Sequence, residues 1–137
     1  MDKALQYMSL ARKAGLLAVG EESCGMVCLG GKAKLLCLAA DASPNAQKRA
    51  ESFLRGRRAP GMTLSWTKAE LSEALGRPGC SMVCFTDLGL ARQFASAMAE
   101  TLPPWQDTAA LLSQREEKAR RRKAAPKKHV AREKRRM

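Results

Sequence analysis

Four short segments of the chain carry apolar residues without helical periodicity. Residues 35–40 and 80–86 are apolar runs without alternation, which predicts strands that are covered on both faces. Residues 62–66 alternate between apolar and polar side chains, as in a half-covered, peripheral strand. Residues 16–19 form a shorter apolar segment. The pattern therefore predicts four strands.

Helical periodicity separates these strands and predicts five helices. A helix can begin where a side chain accepts a hydrogen bond from a free N–H of the first turn. Such residues are Asp2, Ser43 before Pro44, Thr67 with Glu70, and Asp87, whereas the second helix begins at Gly20. Alternating helices and strands predict an α/β fold, a three-layer α/β/α sandwich around a small mixed sheet of about four strands.

The charge of the chain is concentrated at its carboxyl end. The chain has 137 residues and a net charge of +12. Residues 115–137 contain 12 of the 25 Lys and Arg residues but only 3 of the 13 Asp and Glu residues. Pro103 and Pro104 interrupt the pattern before this segment. We therefore predict a folded domain over residues 1–102, a linker over residues 103–114, and a basic, disordered tail over residues 115–137.

The basic tail predicts a polyanionic partner. Flexible Lys and Arg side chains neutralise phosphates and release counterions, so nucleic acid is the expected partner. A solvated tail and an anionic membrane surface are the alternatives, but the tail lacks the aromatic or leucine face that inserts into a bilayer. The predicted phosphate contacts are Arg120, Arg121, Arg122, Lys123, Lys127, Lys128, Arg132, Lys134, Arg135 and Arg136.

The cysteines predict a reducing compartment. All five lie in apolar segments and none forms a Cys-x-x-Cys pair, so we expect buried, reduced thiols in a cytoplasmic protein. A zinc site is the alternative, but its ligands usually have tighter spacings. We expect no metal and no cofactor. No leader or membrane-spanning segment is visible in the sequence.

The sequence contains no recognisable catalytic motif. There is no Gly-Lys-Ser/Thr phosphate loop, and the only histidine, His129, lies in the predicted tail. Asp41 and Asp87 each follow an apolar strand and could form a carboxylate pair, although helix capping explains both positions. We therefore expect a protein that is not an enzyme and has no small-molecule substrate.

Several short motifs between Leu5 and Met98 occur together in the order and spacing of a known family. They are Val19-Gly20-Glu21, Ala33-Lys34-Leu35, Ala40-Asp41-Ala42-Ser43-Pro44, Glu70-Leu71 with Gly76, and Phe85-Thr86-Asp87. With these motifs the chain resembles the kink-turn RNA-binding ribosomal proteins of the L-seven-Ae and L-thirty-e type, and in particular their small bacterial branch. The resemblance implies an α/β/α sandwich that binds structured RNA.

The resemblance also implies where RNA would bind. Family members use the first turn of the helix after Gly20 and the loop after the fourth helix, and a lysine precedes their Glu-Leu pair. The corresponding residues here are Gly20, Glu21, Glu22, Ser23, Met26, Lys68, Arg77, Pro78, Gly79 and Cys80, and Lys32 adds a further cation. The chain departs from the archaeal Thr-Asn-Glu-x-x-Lys pattern, since Glu21, Glu22, Ser23 and Met26 occupy those positions.

We expect an RNA-binding protein that is ribosome-associated or acts in ribosome biogenesis, with ribosomal proteins as further partners. Its folded domain would dock on a kink-turn-like RNA while the tail binds phosphates. The alternative is a protein-interaction module that has lost specific RNA recognition and binds nucleic acid nonspecifically through its tail. Glu21 and Glu22 favour this alternative, because carboxylates at the start of a helix would repel a phosphate.

Overall fold

The computed structural model describes residues 2–124, which form six helices and four strands. The helices are α1 (Lys3–Lys13), α2 (Glu21–Leu29), α3 (Pro44–Leu54), α4 (Lys68–Leu75), α5 (Leu88–Ala99) and α6 (Trp105–Ala124). The strands are β1 (Leu17–Val19), β2 (Leu35–Leu38), β3 (Gly61–Thr63) and β4 (Met82–Phe85). Every helix and strand predicted before residue 102 is present.

The four strands form one mixed sheet in the order β1-β4-β2-β3. β4 is antiparallel to both β1 and β2, whereas β3 is parallel to β2. The two central strands, β2 and β4, are those with apolar runs, because both of their faces are covered by helices. β3 lies at the edge, as the alternating pattern of residues 62–66 predicts.

The helices cover the sheet on both faces. Leu35 and Phe85 pack in a core with α1, α4, α5 and α6, whereas Leu36 and Cys84 face the opposite side, beneath α2 and α3. Successive residues of a strand point to opposite faces of the sheet, so each central strand contributes to both cores. The predicted α/β sandwich is therefore confirmed.

The predicted helix starts are confirmed at the level of individual hydrogen bonds. The Ser43 hydroxyl accepts a bond from the Ala46 N–H at 3.1 Å, and the Asp87 carboxylate accepts one from the Leu90 N–H at 2.9 Å. Thr67 and Glu70 form a capping box. These short-range bonds explain why the starts were predictable from sequence.

The predicted boundary of the folded domain was wrong, because α6 packs on α5 where a linker was expected. Trp105, Thr108 and Leu112 are buried along one face of α6. The Trp105 ring lies edge-on to Phe94, with ring centroids 5.6 Å apart. Trp105, Thr108 and Leu112 are spaced by three and four residues, which is a helical signal. Pro104 is tolerated immediately before a helix.

The helix α6 also includes the first part of the predicted tail, residues 115–124, which is therefore helical rather than disordered. The rest of the predicted tail, residues 125–137, lies outside the described residues. In the described range, no helix combines the length and apolar character needed to cross a membrane.

Asp41 and Asp87 bond to helix starts, the interpretation that the sequence favoured, and do not form the carboxylate pair that was the alternative. Asp41 follows β2 and Asp87 follows β4, and because these strands are antiparallel, the two carboxylates lie at opposite edges of the sheet. Each carboxylate instead accepts a hydrogen bond from a backbone N–H, Asp41 from Lys68 at 2.7 Å and Asp87 from Leu90.

Candidate nucleic-acid interface

The start of α2 is shaped by Gly20. Its backbone has φ 98° and ψ 157°, a conformation that residues with a side chain rarely adopt. Its N–H donates to the Met82 carbonyl at 2.8 Å, which fixes the turn against β4. A Cβ atom at Gly20 would lie 3.1 Å from Nη2 of Arg77. Glycine therefore allows both this turn and the close approach of Arg77.

Arg77 joins the loop after α4 to the start of α2. Its Nη1 donates to the Val19 carbonyl at 3.0 Å, across 58 positions of the chain. A guanidinium has five N–H donors, and within the described residues the bond to Val19 is the one hydrogen bond of this side chain. The structure thus brings together the two elements that sequence comparison with the family pointed to.

The helix α4 extends across this edge of the sheet. Its first N–H, from Lys68, bonds to Asp41 after β2, and its last carbonyl, from Leu75, accepts a bond from Arg12 at 2.6 Å. Lys68 and Arg77 therefore lie near opposite ends of α4, which is eight residues or about 12 Å long. We call the surface formed by Gly20, Glu21, Glu22, Ser23, Lys68 and Arg77 the Gly20–Arg77 edge.

The carboxylates on the first turn of α2 are placed differently from each other. Glu21 Oε1 lies 3.2 Å from Nε of Arg49 on α3, and the Arg49 guanidinium lies 5.5 Å from the centre of the Phe53 ring. Glu22 is exposed. Arg49 thus offsets one of the two negative charges that would repel a phosphate. The sequence analysis missed Arg49 because this pair forms between two helices.

The exposed face of α2 is partly apolar. Met26, which replaces the lysine of the archaeal pattern, is 69% exposed, and Leu29 one turn later is 76% exposed. Ser23 is exposed as well. None of the three polar side chains of the archaeal pattern has an equivalent on this helix.

The remaining predicted site residues do not all share this surface. Pro78 and Gly79 are exposed beside Arg77, but the Cys80 side chain is 2% exposed and packs in the core. Lys32 follows α2 and lies at the opposite edge of the sheet, where the Lys34 N–H bonds to the Phe85 carbonyl at the end of β4. Lys32 is therefore not part of the Gly20–Arg77 edge.

Part of the predicted basic tail lies on α6. All four cations from Arg120 to Lys123 are exposed, and Arg120 and Arg121 are ion-paired with Glu117, with Nε of Arg121 at 3.2 Å. The other predicted phosphate contacts, which lie outside the described residues, are Lys127, Lys128, Arg132, Lys134, Arg135 and Arg136.

The five cysteines are buried as free thiols, in agreement with their apolar sequence context. Burial raises the pKa of Cys84 to about 12 and also raises the pKa of Cys24 and of Cys37. Such thiols stay protonated at neutral pH, whereas metal binding and nucleophilic attack require the thiolate. Among residues 2–124, no group of three or more His, Cys, Asp or Glu side chains could hold a metal ion.

Comparison with known proteins gives structural similarity alone. A protein with unknown function from Bacillus halodurans C has a similar structure, with a TM-score of 0.65 and 23% sequence identity. The similarity covers 72% of this chain and 98% of that chain. No family model matches the chain, and no curated protein does so. At this identity the similarity concerns the fold.

Proposed function

We propose that this chain is a cytoplasmic RNA-binding protein that docks on a structured, kink-turn-like RNA and acts on or near the ribosome. The observation that carries the proposal is the contact of Arg77 with Val19 beside Gly20. This contact joins the two elements through which proteins of the resembled family hold RNA. The net charge of +12 is consistent with a nucleic-acid partner.

The geometry of the Gly20–Arg77 edge suits recognition of RNA shape. The first turn of α2 presents backbone N–H groups and the positive end of the helix dipole. Arg77 adds a guanidinium beside that turn, and Lys68 adds an ammonium at the first residue of α4. Proteins distinguish RNAs mainly by shape, at loops, bulges and distorted helices.

A role in binding rather than catalysis is supported by the state of the reactive groups. Burial keeps Cys24, Cys37 and Cys84 protonated, and the carboxylates of Asp41 and Asp87 are bonded to helix-terminal N–H groups. A nucleophile requires a base within hydrogen-bond reach. We therefore propose no enzymatic activity and no small-molecule substrate.

A protein-interaction module is the second candidate. The observation that favours it is the exposure on α2 of Met26, where the archaeal family pattern has a lysine, and of Leu29 one turn later. Glu22 adds an unshielded negative charge to the same helix. In this case RNA binding would depend on charge alone, and the Gly20–Arg77 edge would not discriminate between RNAs.

Two RNAs of equal length, a kink-turn and a regular duplex, distinguish the two candidates. We expect the full chain to prefer the kink-turn, and Arg77→Ala with Lys68→Ala to reduce that preference about tenfold, since a hydrogen bond to a charged group contributes about 1.5–3 kcal/mol. The matched control is Arg55→Ala with Lys48→Ala. Arg55 also follows a helix and is exposed, so the control removes the same charges elsewhere.

The results separate the candidates directly. If the wild-type chain binds both RNAs equally, the proposal is rejected. If both double variants weaken binding to both RNAs by the same factor, charge alone determines affinity, and the protein-interaction module is favoured. A loss of preference confined to the Arg77 and Lys68 variant supports the proposal.

A further inference from the structure

A cleft of about 420 Å³ opens at the edge of the sheet opposite to Gly20 and Arg77. One wall is the loop between α3 and β3, the floor includes the segment before β2, and the other wall is α6. Six cations line it: Lys34, Arg57, Arg58, Arg115, Lys118 and Arg122. No Asp or Glu among residues 2–124 lines it. We call it the cationic cleft.

The helix α6 separates its cations into two groups. Arg115, Lys118 and Arg122 are spaced by three and four residues, so they share the face that borders the cleft. Glu116 and Glu117 lie on the other side of the helix. They pair there with Arg92 on α5 and with Arg120 and Arg121 on α6 itself.

The cations of the cleft differ from other cations of α6 in forming no ion pair among residues 2–124. Arg120 and Arg121 on the same helix both form one. Arg115 is half-buried. Its pKa is lowered mainly by burial and, to a smaller extent, by repulsion from Arg58. Like charges one helical turn apart also destabilise a helix. This arrangement costs stability and leaves an uncompensated positive field.

We propose that the cationic cleft binds the phosphodiester backbone of a single RNA strand, as a second contact separate from the Gly20–Arg77 edge. The inference rests on the proposed function in that the ligand is RNA. One phosphate group carries at most about two negative charges, so six cations fit several consecutive phosphates of a strand better than one free phosphate. The volume of about 420 Å³ lies within the usual range of ligand sites, about 300–1,000 Å³.

An anionic membrane is a less suitable ligand for this surface. The large apolar side chains that are exposed within residues 2–124 are Leu10, Met26 and Leu29, and none of them lines the cleft. A surface that lies on a bilayer needs aromatic or leucine side chains beside its cations. A concave surface is also better suited to a strand than to a flat membrane.

The decisive experiment compares two pairs of cations on one helix. In the full chain, Lys118→Gln with Arg122→Gln removes two cations of the cleft, and Arg120→Gln with Arg121→Gln removes two ion-paired cations outside it. Both variants have the same net charge and the same remaining chain. The probe is an oligouridylate of about eight nucleotides, a length within the usual site size for single strands, and affinity is measured over a range of salt concentrations.

We expect a large effect from the cleft pair alone. Loss of two phosphate contacts should flatten the slope of log affinity against log salt by about 1.4 and weaken binding at ~0.1 M salt about twentyfold. The control pair should weaken binding less than about threefold, because those arginines lie on the outer face of α6 and do not line the cleft. Equal losses from both pairs would overturn the proposal.

The opposite wall provides an independent test. Arg57→Gln with Arg58→Gln should also weaken binding to the oligouridylate and flatten the salt slope by about 1.4, because this wall contacts phosphates of the same strand. Circular dichroism checks that each variant keeps its helices. An unchanged affinity and slope in this variant would overturn a site shared by both walls.

Two further outcomes separate this inference from its alternatives. The membrane probe is a vesicle of phosphatidylcholine and phosphatidylserine. If the cleft substitutions weaken binding to these vesicles but not to the oligouridylate, the proposal is overturned. If a cleft variant binds the oligouridylate as tightly as the wild-type chain and keeps the normal kink-turn preference, the proposal for the cleft is overturned. The proposed function then remains intact. If the cleft variants lose oligouridylate binding and the wild-type chain shows no preference for the kink-turn, the results support the cleft but not the proposed function.

Discussion

The two edges of the sheet differ in how their charges are held. At the Gly20–Arg77 edge, Arg77 is bonded to the Val19 carbonyl and Glu21 is paired with Arg49, whereas Glu22 and Lys68 form no ion pair within residues 2–124. At the cationic cleft, the six cations described above have no such partners. One edge presents a defined backbone shape with few charges, and the other presents a high density of positive charge without a fixed pattern of bonds.

This difference corresponds to two kinds of nucleic-acid contact. Groups with fixed geometry can discriminate between shapes, whereas unpaired Lys and Arg side chains increase affinity for any phosphate backbone. We therefore expect the two edges to contribute separately, one to selectivity and the other to affinity and salt dependence. The predictions below test whether the edges are structurally coupled and whether their charges behave as described.

The largest effect should come from Trp105, which connects α6 to the rest of the molecule. Trp105 is 2% exposed, so Trp105→Ala should reduce the free energy of unfolding by about 3–5 kcal/mol. Urea denaturation measures this change, and Gln106→Ala, at an exposed neighbouring position, is the control. A change no larger than that of the control would mean that α6, and with it one wall of the cleft, is not part of the cooperative fold.

A smaller effect is expected at the other edge, from Gly20→Ala. The strained φ of 98° should cost about 1–3 kcal/mol, and the new Cβ would displace Arg77. We expect a lower Tm together with a reduced preference for kink-turn RNA and an unchanged affinity for the oligouridylate. Gly15→Ala is the control, because Gly15 also has a positive φ but open space around it and lies before β1, away from Arg77. If Gly15→Ala reduces the preference equally, the contact with Arg77 is irrelevant to it.

The core between the two edges should lose stability in alkali. The pKa of Cys84 is raised from 9.0 to about 12, so the folded state keeps a proton that the unfolded chain releases. Stability is therefore fully present below pH ~9 and falls above it, by about 1.4 kcal/mol per pH unit for each such thiol. Urea denaturation at several pH values measures this loss, and Cys84→Ala should reduce its slope. A stability that is constant up to pH ~10 would contradict the burial of these thiols.

The smallest effect should come from Glu117→Gln, which releases Arg120 and Arg121 on the outer face of α6. Exposed ion pairs contribute little, so the free energy of unfolding should change by ~0.5 kcal/mol or less. Affinity for the oligouridylate should rise less than about threefold. A tenfold rise in a binding titration would show that the outer face of α6, rather than the cleft, is the main contact with the strand.

The helices and strands were predictable wherever a short segment determines the structure. Ser43, Thr67 and Asp87 each cap a helix by bonding to a residue three positions away, so the sequence contains the whole interaction. The helix α6 was missed because two prolines and a basic run obscured the spacing of Trp105, Thr108 and Leu112.

The sites were harder to predict because they depend on distant parts of the chain. Arg57 and Arg58 are adjacent in the sequence, but their position opposite Arg115 on α6 depends on tertiary packing. The contact of Arg77 with Val19 also spans 58 positions. Strand direction, which separates Asp41 from Asp87, is equally absent from local sequence. The sequence thus shows which residues are charged but not which of them lie close together in the fold.

The strand order has a consequence for how the chain folds during synthesis. β1 pairs with β4, α1 packs on α5, and Lys3 forms an ion pair with Glu100, 97 positions away. The helix α1 and the strand β1 therefore lack their main partners, α5 and β4, until residues 82–99 have been synthesised. Non-local pairing of this kind slows folding and leaves apolar surface uncovered in the meantime. We expect nascent chains that end before residue 100 to remain protease-sensitive, and those that include α5 to become protected as a single unit.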